Sequence, residues 1–285
     1  MNDYLVVTDT TSAMDASLAK KYNITLISLS VLLHGKEYKD QVDMTTDELY
    51  AKLDAGDVPT TSQPNQGYIQ EEMKKWKEKN YKAIVIVTCS SDLSGTWNAF
   101  NLAKNTLHMD NIYIIDTRQI GAPVMDIAIY VKHCLDRGEE VENVLDKIQP
   151  KIVNAFSFLY PDNFTQLKKG GRLSPAAANI ATLLKMRALL YLKEDGSCVE
   201  KYMITRTEKK ILSTIIDKFK ELKVQSDTHK IYVLQANNMV LATRVKEILQ
   251  DVFNKIDCDI VKLPAVLTCH GGMGCIAIQS TVKLD

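Results

Sequence analysis

Ala83-Ile84-Val85-Ile86-Val87-Thr88 is an apolar, β-branched run with no polar residue before its last position. A strand with one wet face alternates. A strand with none must be covered on both faces, as in a parallel sheet flanked by helices. Ile112-Tyr113-Ile114-Ile115 repeats the pattern, and Leu5-Val6-Val7-Thr8 gives a shorter version that ends in the cap-like cluster Asp9-Thr10-Thr11-Ser12. Helical stretches from Thr96 to Leu107 and from Val124 to Arg137 are long enough for the crossovers that parallel strands need. Ile24 to Leu33 reads as one further strand. Thr45 with Glu48 forms a capping box for a helix holding Leu49, Tyr50 and Leu53, stopped at Gly56 to Pro59. Residues 1–150 therefore read as a Rossmann-like, doubly wound α/β domain.

After Pro150 the texture changes. Ala155 to Tyr160 is aromatic and strand-like. Ala188 to Leu192 and Cys198 to Ile204 flank Glu194-Asp195-Gly196-Ser197, a hairpin signal. Helical patterns from Glu208 to Leu222 and from Met239 to Phe253 alternate with strands at Ile231 to Gln235, Ile260 to Leu263 and Cys275 to Val282. Residues 151–285 are expected to form an α+β domain.

Composition narrows the function classes. The 285 residues are 46% hydrophobic and 25% charged, and 35 basic residues balance 35 acidic ones. Without a basic excess, nucleic-acid binding loses the phosphate contacts that supply most of its affinity, so no nucleic-acid partner is expected. No apolar stretch approaches the roughly 18 residues of a membrane span, so no stable membrane insertion is expected. The amino terminus reads at once as a strand without a basic leader, and the six cysteines form no Cys-x-x-Cys pair. Reduced thiols in the cytoplasm are the plain expectation. Cys269, His270 and Cys275 match no common zinc spacing, so no metal site is expected.

Three clusters fall at the ends of predicted strands, where open α/β sheets bind ligands. They are Thr60-Thr61-Ser62-Gln63-Pro64, Ser90-Ser91-Asp92-Leu93-Ser94-Gly95-Thr96 and His270-Gly271-Gly272-Met273-Gly274. Singly, each has an ordinary explanation: loop hydroxyls, Ser94 capping the next helix, a structural histidine beside a glycine turn. Together, hydroxyls, a helix start and an imidazole make a cradle for a carboxylate or phosphate. Catalytic signatures are broken or missing. The nucleophile elbow fails at Ser94, whose flanking positions are Asp92 and Thr96, and neither a Walker loop nor a dinucleotide fingerprint is present.

These clusters, taken in order with Thr8-Asp9-Thr10-Thr11-Ser12, Asp116-Thr117-Arg118, Leu167-Lys168-Lys169-Gly170-Gly171-Arg172-Leu173 and Arg206-Thr207, resemble the DegV family of bacterial fatty-acid-binding proteins along the whole chain. Some of that family are acyl-binding subunits of fatty acid kinase. The resemblance implies a long-chain acyl group buried between or beneath the two domains, with Thr61, Ser62, Ser94 and His270 holding its carboxylate. It implies that Arg172 and Arg206 face the side where a separate ATP-dependent kinase delivers phosphate. The chain itself would then be no enzyme and need no cofactor. Asp92, Trp97 and Met273 depart from the family's usual residues and leave the carboxylate donors intact. Neutral donors suit the task, because they replace the carboxylate's water while leaving one oxygen free to attack phosphorus. The tail supplies affinity at about 0.8 kcal/mol per buried methylene. Apolar segments at Ile180 to Leu184 and Val124 to Val131 are candidates for its lining. A second function class is a Ser/His hydrolase or acyltransferase using Ser94 and His270, oriented by Asp92 or Asp116. A nucleotide- or phosphate-sensing regulator rests on the glycines alone.

Overall fold

The computed structural model describes residues 3–162, 164–178 and 186–283. The first elements are β1 (Tyr4–Asp9), α1 (Ala16–Tyr22), β2 (Thr25–Ile27), β3 (Ser30–Leu33), β4 (Lys36–Lys39), α2 (Thr46–Asp54), β5 (Thr60–Ser62) and α3 (Gln66–Glu78). There follow β6 (Ala83–Thr88), α4 (Thr96–Leu107), β7 (Ile112–Asp116), α5 (Ala122–Asp136), α6 (Val141–Val153), β8 (Phe156–Tyr160), α7 (Thr165–Gly170) and α8 (Pro175–Ala178). The chain continues with β9 (Arg187–Leu192), β10 (Val199–Thr205), α9 (Glu208–Glu221), β11 (His229–Gln235), α10 (Met239–Val252), β12 (Asp257–Lys262), α11 (Ala265–Gly271) and β13 (Ile276–Val282).

β6 is buried at every position. It lies inside a parallel sheet of order β2-β1-β6-β7, and alternate side chains serve opposite layers. Leu5, Val7, Ile84 and Ile86 pack on Ile69, Met73 and Trp76 of α3 and on Phe100 and Ala103 of α4. Val6, Val85 and Val87 pack on Val124, Ile127, Ala128 and Val131 of α5 and on Val144 and Ile148 of α6. The sequence pattern thus finds its cause: a run without polar alternation has helices on both sides.

The second large sheet has the order β10-β9-β8-β13-β11-β12 and is antiparallel except for the β11–β12 pair. Phe158, Ile231, Val233, Ile276 and Ile278 face Ile211, Ile215 and Phe219 of α9 and Leu241, Val245 and Leu249 of α10. From its other face Tyr232, Leu234 and Ala277 join the cluster of α5. Both predicted fold types are present, making an α/β protein with a parallel sheet followed by a mixed α+β part.

Ile24 to Leu33 does not form one strand. Thr25–Ile27 joins the parallel sheet, whereas Ser30–Leu33 is the centre of a separate antiparallel sheet of order β4-β3-β5. The break falls at Ser28-Leu29, where the Leu29 N–H donates to the Thr10 hydroxyl at 3.1 Å instead of to a ladder. Val31 of this small sheet and Leu29 just before it pack against Ala265, Val266 and Cys269 of α11.

Candidate functional site

In the parallel sheet, the connection from β1 runs to one side and β6 lies on the other, so the crevice for a ligand opens beyond the carboxyl ends of β1 and β6. Asp9, fully buried there, ties the two loops together. Its carboxylate accepts from the Thr11 N–H at 2.8 Å, from the Thr11 hydroxyl and from the Cys89 N–H at 3.3 Å. Burial raises its pKa more than these bonds lower it.

Above this crevice lies a cavity of about 390 Å3. Its walls are mostly apolar, drawn from the second large sheet and α11, with Leu159, Leu192, Leu234, Leu263, Val266 and Ala277, while Thr11 and Cys89 reach it from the loops after β1 and β6. Most of the polar residues singled out from sequence gather at one end. Thr61 and Ser62 border the cavity from edge strand β5, Ser94 from the start of α4, His270 from the last turn of α11, and Arg172 from beyond α7. Five of the six residues singled out from sequence therefore share one cavity. Arg206 lies apart, exposed between β10 and α9.

The Thr61 hydroxyl and His270 Nε2 are 2.8 Å apart, while buried Nδ1 has no hydrogen-bond partner among the described residues. Burial, and after it the Arg172 guanidinium, holds the His270 pKa down to about 4, so the ring is neutral at pH 7. Gly170 allows this packing, since a Cβ there would stand 2.3 Å from Nδ1. Ser94 does not cap α4 as the sequence suggested. Gly95 is the cap residue and makes no side-chain bond, and the Ser94 hydroxyl lies 2.9 Å from the Thr96 hydroxyl, turned to a neighbour rather than to the helix N–H groups.

Outside the polar end is a second space of about 290 Å3, bordered by Ser91, Asp92, Ser94, Gly95, Gly171, Arg172, Ser197 and Cys198. Arg172 borders both spaces and is anchored by Nε to the Leu93 carbonyl at 3.1 Å and by a terminal nitrogen to the Gly170 carbonyl at 2.6 Å. The site is thus an apolar slot with a neutral, hydroxyl-rich end leading to a polar vestibule beside a cation.

Sequence reasoning missed Thr11, Cys89, Ser157 and Gln279 as lining residues. They lie on separate elements with no shared spacing, although Thr11 belongs to a recognisable cap cluster. The segment Val124 to Val131 is not part of the lining: it packs in the core between the sheets. Ile180 to Leu184 falls outside the described residues. Among the described residues, no group of three or more His, Cys, Asp or Glu side chains is placed to hold a metal, and no helix is long and apolar enough to cross a membrane.

A model of the family described as "Uncharacterised protein, DegV family" matches residues 4–283. A fatty acid-binding protein of Thermotoga maritima is 28% identical over 278 residues, covering 95% of each chain. A DegV domain-containing protein of Streptococcus pneumoniae is 27% identical over 274 residues, covering 96% of each. Among solved structures, the fatty acid binding DegV family protein of Streptococcus agalactiae superposes with a TM-score of 0.89 at 25% identity, covering 99% of both chains. A DegV family protein of Thermus thermophilus, described for its fatty acid binding, gives 0.88 at 26% identity over 98% of this chain and 99% of that one.

Proposed function

The chain belongs to the DegV family, and from that premise we propose that it is a fatty-acid carrier of the cytoplasm, not an enzyme by itself. It buries a long acyl chain in the slot between its 1–150 and 151–285 parts and presents the carboxylate to a separate ATP-dependent kinase, which forms the acyl phosphate. One observation carries this reading: a largely apolar cavity of about 390 Å3 ends in Thr61, Ser62, Ser94 and neutral His270 and leads into a polar vestibule. That volume lies within the roughly 300–1,000 Å3 of small-molecule sites.

The chemistry follows from the donors. An ionised carboxylate enters an apolar interior only where hydrogen bonds replace its water. Three hydroxyls and an imidazole do this without the bidentate grip of an arginine fork, which would occupy both oxygens. Arg172, at the junction of slot and vestibule, stands where charge builds during phosphoryl transfer, and exposed Arg206 is assigned to the face that meets the kinase. ATP and metal come with that partner.

The hydrolase reading has no supporting geometry. His270 Nε2 bonds Thr61 rather than Ser94, Nδ1 has no orienting acid among the described residues, and the Asp116 carboxylate is engaged by Ser91. Mass spectrometry of gently purified protein is the test, with about one co-purifying fatty acid per chain expected. Protein that emerges without lipid and also ignores added palmitate and oleate overturns the carrier reading.

A further inference from the structure

The cavity has polar lining in a second place, away from the carboxylate donors. Ser157 and Gln279, both buried, are directly paired across β8 and β13, and both border the cavity. The next rung of that face, Leu159 with Ala277 and Leu234, is apolar. One rung further is Cys275, whose Sγ would stand 3.0 Å from a Cβ on Gly271, beside His270. Cys275 and Gln279 are four residue steps apart along extended chain, so the polar rung lies about 13 Å beyond the histidine end.

The hydrogen bonds of this rung are incomplete in a specific way. The Gln279 amide spends both protons, on the Ile120 carbonyl and the Ser157 hydroxyl, each at 2.8 Å. Its Oε1 accepts one bond, from the Ala122 N–H at 2.8 Å, and keeps a second lone pair. The Ser157 hydroxyl accepts from Gln279, and no described residue accepts its own proton. A Cβ at position 121 would stand 2.6 Å from Oε1, and Gly121, which borders the cavity, leaves that space empty. One unspent donor and one unspent acceptor therefore lie side by side in an otherwise greasy wall. A plain hydrocarbon satisfies neither, a ketone takes the donor only, and a hydroxyl, which both donates and accepts, takes both.

We infer that Ser157 and Gln279 form a second polar subsite that recognises a hydroxyl group in the distal half of the bound acyl chain, so that the preferred ligand is a hydroxy fatty acid. This rests on the carrier reading and narrows it. Carboxylate and hydroxyl are then gripped at two points, which fixes the position of the oxygen along the chain as well as its presence.

The experiment is competition against a fluorescent fatty acid, using stearate and the three isomeric hydroxystearates bearing the hydroxyl at carbon two, carbon ten or carbon twelve. At least one of the two mid-chain isomers should displace the probe roughly tenfold better than stearate, the worth of one well-made hydrogen bond. The carbon-two isomer should show no such gain, and Ser157→Ala should bring the mid-chain isomers and stearate to near parity. The wild-type series decides the matter even where the variant folds poorly. Stearate binding as tightly as both mid-chain isomers overturns the inference and leaves the carrier reading standing. Failure of every acid to displace the probe overturns both.

Discussion

At the scale of single residues, in the proposed carrier, holding and delivery fall to different groups at the polar end of the slot. Thr61, Ser94 and His270 are donors without charge, and His270 stays so because burial, reinforced by Arg172, keeps its pKa down to about 4. Each hydrogen bond to an ionised group is worth about 1.5–3 kcal/mol, so alanine at any of the three should weaken fatty-acid binding by about tenfold or more. Arg172→Ala should leave affinity within about fivefold, as for an exposed ion pair, and in the proposed carrier should instead slow transfer with its kinase partner. Displacement titrations with the four variants check this, and an Arg172→Ala loss as large as that of Ser94→Ala contradicts the division. Gly170→Ala tests how the histidine is held. With a Cβ only 2.3 Å from Nδ1, the ring must swing away from Thr61, and binding should fall as far as in His270→Ala. Unchanged affinity would mean that the ring's place is immaterial. His270 was legible in the sequence because three glycines follow it within four residues. The role of Gly170 was not, because its partner is 100 residues away in the chain.

At the scale of elements, what was legible depended on whether the cause was local. The Thr45–Glu48 capping box carries its whole reason within four residues and is formed as read. β6 announced its two covered faces by lacking polar residues. Ile24 to Leu33 did not announce its break, since β-branched composition suits either sheet and the deciding hydrogen bond is accepted by the distant Thr10 hydroxyl. The β9–β10 hairpin lies between these cases. Its turn residues were evident, but its tip has a second task. The Ser90 hydroxyl donates to the Gly196 carbonyl at 2.7 Å, and Gly196, at φ +73°, leaves no room for a Cβ, which would stand 2.5 Å from the Arg118 carbonyl oxygen. The hairpin is thereby clamped on the loops that follow β6 and β7, with Ser197 and Cys198 beside the vestibule. Gly196→Ala should cost about 2 kcal/mol through the left-handed backbone and the collision. It should also speed ligand release as the vestibule loosens. Urea midpoints and dissociation rates read the two effects, and a destabilised variant with an unaltered release rate would detach the hairpin from the site.

At the scale of the whole molecule, α11 joins the small antiparallel sheet to the slot, and titrating groups stand at both of its ends. His270 is in its last turn. Near its first residues is the Asp40 carboxylate, fully buried and without a full hydrogen bond among the described residues. Burial raises its pKa to about 7, against weaker opposing pulls from the Thr10 hydroxyl and the N–H groups of Val266, Ala265 and Gln41. Between about pH 4 and 7 the unfolded chain, with an ordinary carboxyl, binds fewer protons at this position than the folded one. The stabilising contribution of protonated Asp40 is therefore complete at low pH and lost as pH rises through 7. His270 runs the other way. Its folded pKa is depressed, so the unfolded chain binds more protons between about pH 4 and 6.5, and its contribution is complete above that window and lost as pH falls through it. The two slopes oppose each other over nearly the same range, which leaves the net dependence from this helix shallow. Asp40→Asn should uncover the histidine slope, with stability rising from pH 5 to pH 8 and the gain over wild type largest at pH 8. His270→Gln should uncover the carboxyl slope, with stability falling over the same interval. Urea midpoints at pH 5, 6.5 and 8 decide it. If Asp40→Asn shifts stability equally at all three, the carboxyl keeps one protonation state throughout, and the balance across α11 does not exist.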